Sequence, residues 1–376
     1  MLRKITISNF RSLATNVTFE PGRLNFLVGI NGSGKSNVLH ALTFMREAVL
    51  MGLPGAVTNN NSIEAVRRHS SGHPRNVKID LEITLQDGLA KYGFEITGAR
   101  SEEYRVKSEW AYLRFQGHVT EFRIVNGKWD GPDNLKPNID NQNLAITSLG
   151  GDERIKPLRD FLTNMMMYSI YPDVLREPQK YNNITPMQPR GDNWISILYQ
   201  QERAYWKKDL ISALDKLTGE IDDLRVKKAS GYLMAEFRHK GRGQKEKKWF
   251  GADLESDGTL RVAGLITALL QEPPLSVIGI EEPELTVHPG ALSLIYDYLE
   301  EASHRSQIFV TTHSPILLDI IKDFKEVKVF VMRREDSASR LSPLSESHKE
   351  AVKDKLFTLG EIMLSGDLPL YPLADI

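Results

Sequence analysis

Apolar and polar residues alternate at the start of the chain, Met1-Leu2-Arg3-Lys4-Ile5-Thr6-Ile7, and predict a first strand over Ile5–Phe10. The unbroken apolar run Leu24–Val28 predicts a second strand that ends in a glycine loop at Gly29. A helix follows over Ser36–Leu50, with Val38, Leu39, Leu42, Met45 and Val49 at helical spacing and Gly52 and Pro54 as the stop. Asn59–Pro74 is polar and basic and reads as a loop. From Val77 to Phe122 the period returns to two with short turns, which predicts antiparallel strands packed beside the first sheet. Turn residues over Val125–Pro137 open a mainly helical insertion, which includes Trp194–Leu217. Strand pattern resumes at Tyr232–Phe237 and Lys248–Phe250 around a basic turn. The last third alternates: helix Gly258–Leu270, strand Leu275–Ile280, helix Gly290–Ala302, strand Gln307–Thr311. That rhythm is expected of a parallel sheet with crossover helices. The segments give four parts: an N-terminal lobe over 1–124, the insertion over 125–230, a C-terminal lobe over 231–340 and a tail over 341–376.

Composition narrows the chemistry. The 376 residues contain no cysteine, which excludes disulfides, thiolate metal sites and cysteine nucleophiles, and fits a reducing compartment. The net charge of -1 decides nothing about a nucleic-acid partner, so only local patches can. No apolar run at the N-terminus is long enough for a signal peptide, and the longest apolar stretch, Val262–Ile280, is broken by Gln271-Glu272-Pro273-Pro274. The expectation is a cytoplasmic protein outside the membrane.

Gly29-Ile30-Asn31-Gly32-Ser33-Gly34-Lys35-Ser36 satisfies G-x-x-x-x-G-K-[ST], follows an apolar strand and opens a helix. Glycines let successive backbone N–H groups turn toward phosphate, the helix N-terminus adds its dipole, Lys35 bridges β- and γ-phosphates and the Ser36 hydroxyl reaches Mg²⁺. Gly29, Asn31, Gly32, Ser33, Gly34, Lys35, Ser36 and Asn37 are the expected nucleotide-binding residues. Such a loop needs a carboxylate at a neighbouring strand end, and Leu275–Ile280 ends in Glu281-Glu282-Pro283-Glu284. Glu281 is expected to hold Mg²⁺ through water and Glu282 to deprotonate the attacking water. A further strand delivers Thr311-Thr312-His313-Ser314-Pro315, which places His313 to sense a γ-phosphate. Glu255-Ser256-Asp257-Gly258-Thr259 precedes a helix, with Ser256 as N-cap.

Phosphate loop, Ser-Asp-Gly-Thr, strand plus Glu-Glu-Pro-Glu and strand plus Thr-Thr-His-Ser-Pro stand in the order found in ABC-type ATPases. The chain resembles most the branch of recombination-repair clamp, chromosome-maintenance and overcoming-lysogenisation-defect ATPases, also through Ile7-Ser8-Asn9-Phe10-Arg11-Ser12 and the block Gly29–Leu42. The resemblance implies an α/β fold: an ABC-type P-loop NTPase head with a mixed or parallel sheet, an antiparallel β subdomain and a helical insertion. It implies ATP and Mg²⁺ as ligands, and Ser256, Asp257 and Gly258 as a signature motif that contacts the γ-phosphate bound by a second copy in a head-to-head dimer. Glu284–Pro289, with His288, takes the place of a loop reaching across that dimer. Departures are Glu281 where aspartate is usual and Asp257 in place of the second signature glycine; the Gln-loop glutamine could be Gln142 or Gln179. About 60 residues follow His313, too few for the TOPRIM nuclease of the lysogenisation-defect proteins, so the resemblance is to a stand-alone ATPase with any effector separately encoded.

Arg238, Lys240, Arg242, Lys245, Lys247 and Lys248 form a basic turn that could neutralise DNA phosphates or be a solvated hairpin tip. The function expected is an ATP-driven switch that gates DNA or a partner protein, in DNA repair or anti-phage defence. The alternative is the nucleotide-binding subunit of a membrane transporter, against which stand the roughly 100-residue unmatched insertion and the antiparallel segment before it. A guanine-reading Asn-Lys-x-Asp is missing, and the intact Lys35, Ser36, Glu281 and Glu282 argue against a vestigial binding module.

Overall fold

The computed structural model describes residues 1–69, 75–98, 100, 103–138, 140–241 and 248–365. The chain forms two compact units, one from Met1–Met165 with Asp323–Ile376 and one from Met166–Lys322.

The first unit opens with β1 (Leu2–Ser8), β2 (Val17–Phe19) and β3 (Leu24–Val28), then α1 (Lys35–Met51), α2 (Leu53–Asn59) and α3 (Ile63–Val66). Strands β4 (Val77–Leu85), β5 (Gly88–Thr97), β6 (Arg105–Phe115), β7 (His118–Val125) and β8 (Lys128–Asp130) follow, then α4 (Ala145–Leu149) and α5 (Lys156–Thr163). The antiparallel strands form a seven-stranded sheet in the order β2-β1-β4-β5-β6-β7-β8. Sequence pattern expects the antiparallel strands to pack beside the first sheet; β1 and β2 in fact join them in one sheet. Over Ile5–Ile7 the alternation of buried and half-buried positions in β1 matches that of β4, and Ile5 faces Leu81 and Ile7 faces Ile79 across the ladder. On the core side, Phe44 of α1 packs against Phe10 and Phe94, with ring centroids 5.7 and 6.3 Å away. All three rings are fully buried, each worth about 1.5–3 kcal/mol of hydrophobic stabilisation. Glu109, on β6, is also fully buried; its carboxylate accepts the backbone N–H groups of Ala145 and Ile146, at 2.6 and 3.0 Å, and the Tyr92 hydroxyl at 3.0 Å. It thereby caps α4, and burial raises its pKa from 4.5 to about 7, against the pull of those hydrogen bonds.

The second unit starts at β9 (Met165–Tyr168), whose first residue belongs to the unit before, and continues through α6 (Pro172–Arg176), β10 (Gln179–Lys180), α7 (Trp194–Gln200) and α8 (Trp206–Thr218). The single helical pattern read over Trp194–Leu217 is thus two helices, separated at Gln201–Tyr205 without a glycine or proline to announce the break. Next come β11 (Ile221–Ala229), β12 (Tyr232–His239) and β13 (Lys248–Gly251), an antiparallel sheet with β10. Then α9 (Asp257–Leu270), β14 (Val277–Glu281), α10 (Leu292–Ser303), β15 (Gln307–Thr312) and α11 (Pro315–Asp319) alternate as the pattern predicted. Strands β14 and β15 pair in parallel, Glu281 opposite Thr311, so both deliver their C-terminal residues to the same edge. Helix α9 is buried from Thr259 to Leu270, as its apolar composition on all sides requires.

The chain returns to the first unit with β16 (Val327–Glu335), β17 (Ala338–Pro343), α12 (Glu346–Lys353) and α13 (Leu359–Ser365). Strand β16 pairs parallel to β3 and antiparallel to β17. Burial of β3 on both faces explains its unbroken apolar run. Among the described residues no helix is long and apolar enough to cross a membrane.

Candidate nucleotide site

The predicted residues fall into two groups, one in each unit. In the first unit, β3 runs into the glycine loop and α1 leaves it. Gly32 and Gly34 have φ of 78° and 99°, the left-handed region where glycine alone is unstrained. A Cβ at Gly34 would lie 2.4 Å from Ser339 Oγ, and one at Gly29 would lie 2.5 Å from the Met332 carbonyl. At Gly32 a Cβ would meet nothing within 4 Å. The loop therefore has its back pressed against the β16–β17 hairpin and its tip, Asn31 and Gly32, exposed to solvent. Lys35 is 5% exposed, and its ammonium donates to the carbonyls of Gly29 and Ile30 at 2.8 and 3.2 Å. A buried cation curled over its own loop in this way can exchange carbonyl oxygens for phosphate oxygens. The Ser33 hydroxyl is buried without a hydrogen-bond partner, an orphan that an anion in the loop would satisfy. Ser36 stands half-buried in the first turn of α1. Asn37 is engaged behind the loop: its amide donates to Ser12 Oγ at 2.7 Å, and Ser12 and Ser339 share a hydrogen bond of 2.6 Å.

In the second unit, Glu281 ends β14 and Glu282 turns the chain with φ of 44°, an uncommon conformation for a residue with a side chain. Its backbone N–H is held by the Thr311 carbonyl at 3.0 Å. His313 Nδ1 lies 3.3 Å from Glu282 Oε1 and 3.7 Å from Glu284 Oε1. The side chain of Glu284 is 8% exposed; Oε1 accepts from Thr312 Oγ1 at 2.6 Å and from the His313 N–H at 3.1 Å, while Oε2 is buried without a partner. Sequence reading assigned Glu284 only to the start of a loop. Here it fixes the backbone of His313, whose ring Nδ1 is buried without a hydrogen-bond partner; a third acid directly behind Pro283 was the available signal. Arg261, at the end of the Glu255–Arg261 segment, has no role in the sequence pattern. Its guanidinium donates to the carbonyls of Ile170, Glu281 and Glu282 at 2.7, 3.3 and 2.9 Å. Burial lowers its pKa, Glu284 and Glu282 work against that, and an arginine stays cationic either way. A single cation inside a helix buried from Thr259 to Leu270 was the visible clue.

Ser256 caps α9, accepting from the Thr259 N–H at 3.1 Å, and both Ser256 and Asp257 are exposed. Asp257 pairs with Arg176 of α6. A Cβ at Gly258 would lie 3.0 Å from the Thr286 carbonyl, so glycine lets the 284–289 turn approach the capping motif. His288 in that turn is exposed and accepts from the Gly290 N–H at 3.1 Å. Of the two glutamines considered, Gln179 is buried and hydrogen-bonds Gly191 and Ile195, whereas Gln142 donates to the Tyr104 carbonyl. In the basic turn, Arg238 is paired with Asp222 and Asp223, at 2.6 and 3.2 Å, and Lys240 with Asp215. Lys248 opens β13 and is exposed, while Arg242, Lys245 and Lys247 lie outside the described residues.

Solved structures of Smc heads share the fold. The chain resembles "Crystal structure of the SmcHead bound to the C-winged helix domain of ScpA" at 15% identity and TM-score 0.55, covering 92% of this chain and 99% of that one. A Smc head domain with an extended coiled coil, bound to the C-terminal domain of ScpA derived from Pyrococcus furiosus, matches at 14% identity and TM-score 0.53, covering 94% and 99%. No curated protein matches the chain by sequence. Residues 24–319 match the family described as "AAA domain, putative AbiEii toxin, Type IV TA system". That span holds β3, the phosphate loop, the capping motif of α9 and the acid–histidine turn, and the chain belongs to this family of nucleotide-binding AAA ATPases.

Proposed function

We propose that the protein binds and hydrolyses ATP and works as a switch that closes head-to-head around the nucleotide. The observation that carries the hydrolytic part is the acid–histidine turn: a strained Glu282 at a strand end, 3.3 Å from His313, in a chain with a complete phosphate loop. Lys35 and the loop N–H groups hold the β- and γ-phosphates. Glu282 accepts the proton of the attacking water, and His313, fixed by Glu284, orients it and contacts the γ-phosphate. Ser36 and Glu281 offer hard oxygen donors suited to Mg²⁺, which when bound screens the charge of the phosphate oxygens. Among the described residues no cluster of three or more acids or histidines could hold a metal ion, so an ion here draws on phosphate and water oxygens as well.

Exposed Ser256 and Asp257 with Gly258, at the head of a buried helix, support a role toward the γ-phosphate held by a second copy. The closing motion would act on DNA or on a separately encoded protein, in DNA repair or anti-phage defence. The carboxylates already bonded to Arg238 and Lys240 reduce the charge which that turn can offer to DNA.

Glu282→Gln tests the hydrolytic role, since it keeps size but not basicity. Turnover should fall roughly 10²–10⁴-fold while ATP binding persists, and ATP should accumulate in a closed dimer visible by size-exclusion chromatography. Normal hydrolysis by the variant would put the base elsewhere.

A further inference from the structure

Arg261 sits on α9, five residues beyond Ser256, and its guanidinium reaches from that helix to the turn that carries Glu282. It is 5% exposed, its Nε has no hydrogen-bond partner, and its two terminal nitrogens are spread over three backbone carbonyls rather than a carboxylate. A buried cation is costly to desolvate, and here that cost is offset by holding the backbone of Glu281 and Glu282, including the left-handed φ at Glu282. Glu282 and Glu284 are the acids that act on it electrostatically, together with Tyr171.

We propose that Arg261 is a positioning residue that couples the two ends of the site: it ties the helix whose exposed N-terminus would meet the partner's γ-phosphate to the backbone of the catalytic acid in the same protomer. This rests on the shared-site reading above and deepens it. Arg261 holds the backbone of Glu282 from α9 of the same protomer, so the acid keeps its place only while the helix that carries Ser256–Gly258 keeps its own. The hydrogen bonds go to main-chain oxygens, so the effect is one of placement; a displacement of about 1 Å at a reacting group costs on the order of 10²-fold.

Arg261→Met should lower kcat roughly 10–10²-fold with ATP affinity within about twofold of the wild type. Arg261→Lys, which keeps the charge and can reach one carbonyl, should restore part of kcat, and it stands in for the methionine variant if that one does not fold. Mixed dimers locate the defect. In the first, Arg261→Met is paired with Lys35→Ala, so the only loaded site uses the acid of the Arg261→Met chain; this dimer should be slow. In the second, a chain carrying both changes is paired with wild type, so the only loaded site uses the wild-type acid and the variant's Ser256; this dimer should keep the activity of a single site. The reverse pattern would show that Arg261 serves the capping motif instead, and equal loss or equal retention in both dimers would also overturn the proposal. Failure of the shared site itself shows separately, as full activity of Ser256→Arg alone; the coupling then falls with it.

Discussion

Glu109→Gln exchanges a fully buried carboxyl for a neutral amide of the same shape, and its effect should reverse with pH. The folded pKa of Glu109 is raised from 4.5 to about 7 because burial outweighs its three hydrogen bonds. At about 1.4 kcal/mol per unit, that shift corresponds to about 3 kcal/mol. Below pH 4.5 the group is protonated in folded and unfolded chains alike. Between 4.5 and about 7 the unfolded chain releases its proton while the folded chain keeps it, so stability falls as pH rises, and the loss is complete above 7. Glutamine has one acceptor oxygen for the two N–H groups of Ala145 and Ile146, which costs about 1–2 kcal/mol at any pH. The variant should therefore be less stable than wild type at pH 4.5 and slightly more stable at pH 8. The difference between the two conditions should be about 3 kcal/mol, read from urea unfolding of both proteins at both pH values. If the hydrogen bonds outweigh burial, Glu109 ionises below pH 4.5 and the penalty of the substitution grows with pH. That sign would refute the reasoning.

Lys35→Ala removes the ammonium from the phosphate loop and should abolish ATP binding by calorimetry; an unchanged affinity would remove the loop from the site. Ser256→Arg should leave ATP binding largely intact yet block closure and hydrolysis together. A mixture of Ser256→Arg with Lys35→Ala should regain partial activity, because one composite site is complete provided the other need not close.

Features set by neighbouring residues were readable in advance. The phosphate loop, the cap at Ser256 and the strand ends at Glu281 and Thr312 each follow from a short run of sequence whose residue types fit one backbone geometry. Three kinds of feature were not readable. Strand β11 carries Asp222, Asp223, Lys227 and Lys228, which hide any period of two, and it is fixed by pairing with β12. The assumed loop after Asn59 contains a turn of helix at Ile63–Val66, capped by Ser62 and followed by a bridge from Arg67 to Phe10. Partnerships between distant positions left no trace in the pattern: Ser12 with Ser339, Glu109 with the N–H groups of α4, and Arg261 with the turn after β14.

The hairpin behind the phosphate loop also orders events during synthesis. Strand β3 and helix α1 leave the ribosome within the first 51 residues, but β16, which pairs in parallel with β3, begins at Val327 and the Ser339 hydroxyl that packs behind Gly34 comes later still. Meanwhile Met166–Lys322, one contiguous stretch with its own core, can be completed. Pairing over such a separation is slow, and until it happens β3 lacks β16 along one edge. A nascent chain halted before Val327 would hold the glycine loop without its back wall, so the loop takes its final packing when the β16–β17 hairpin folds home.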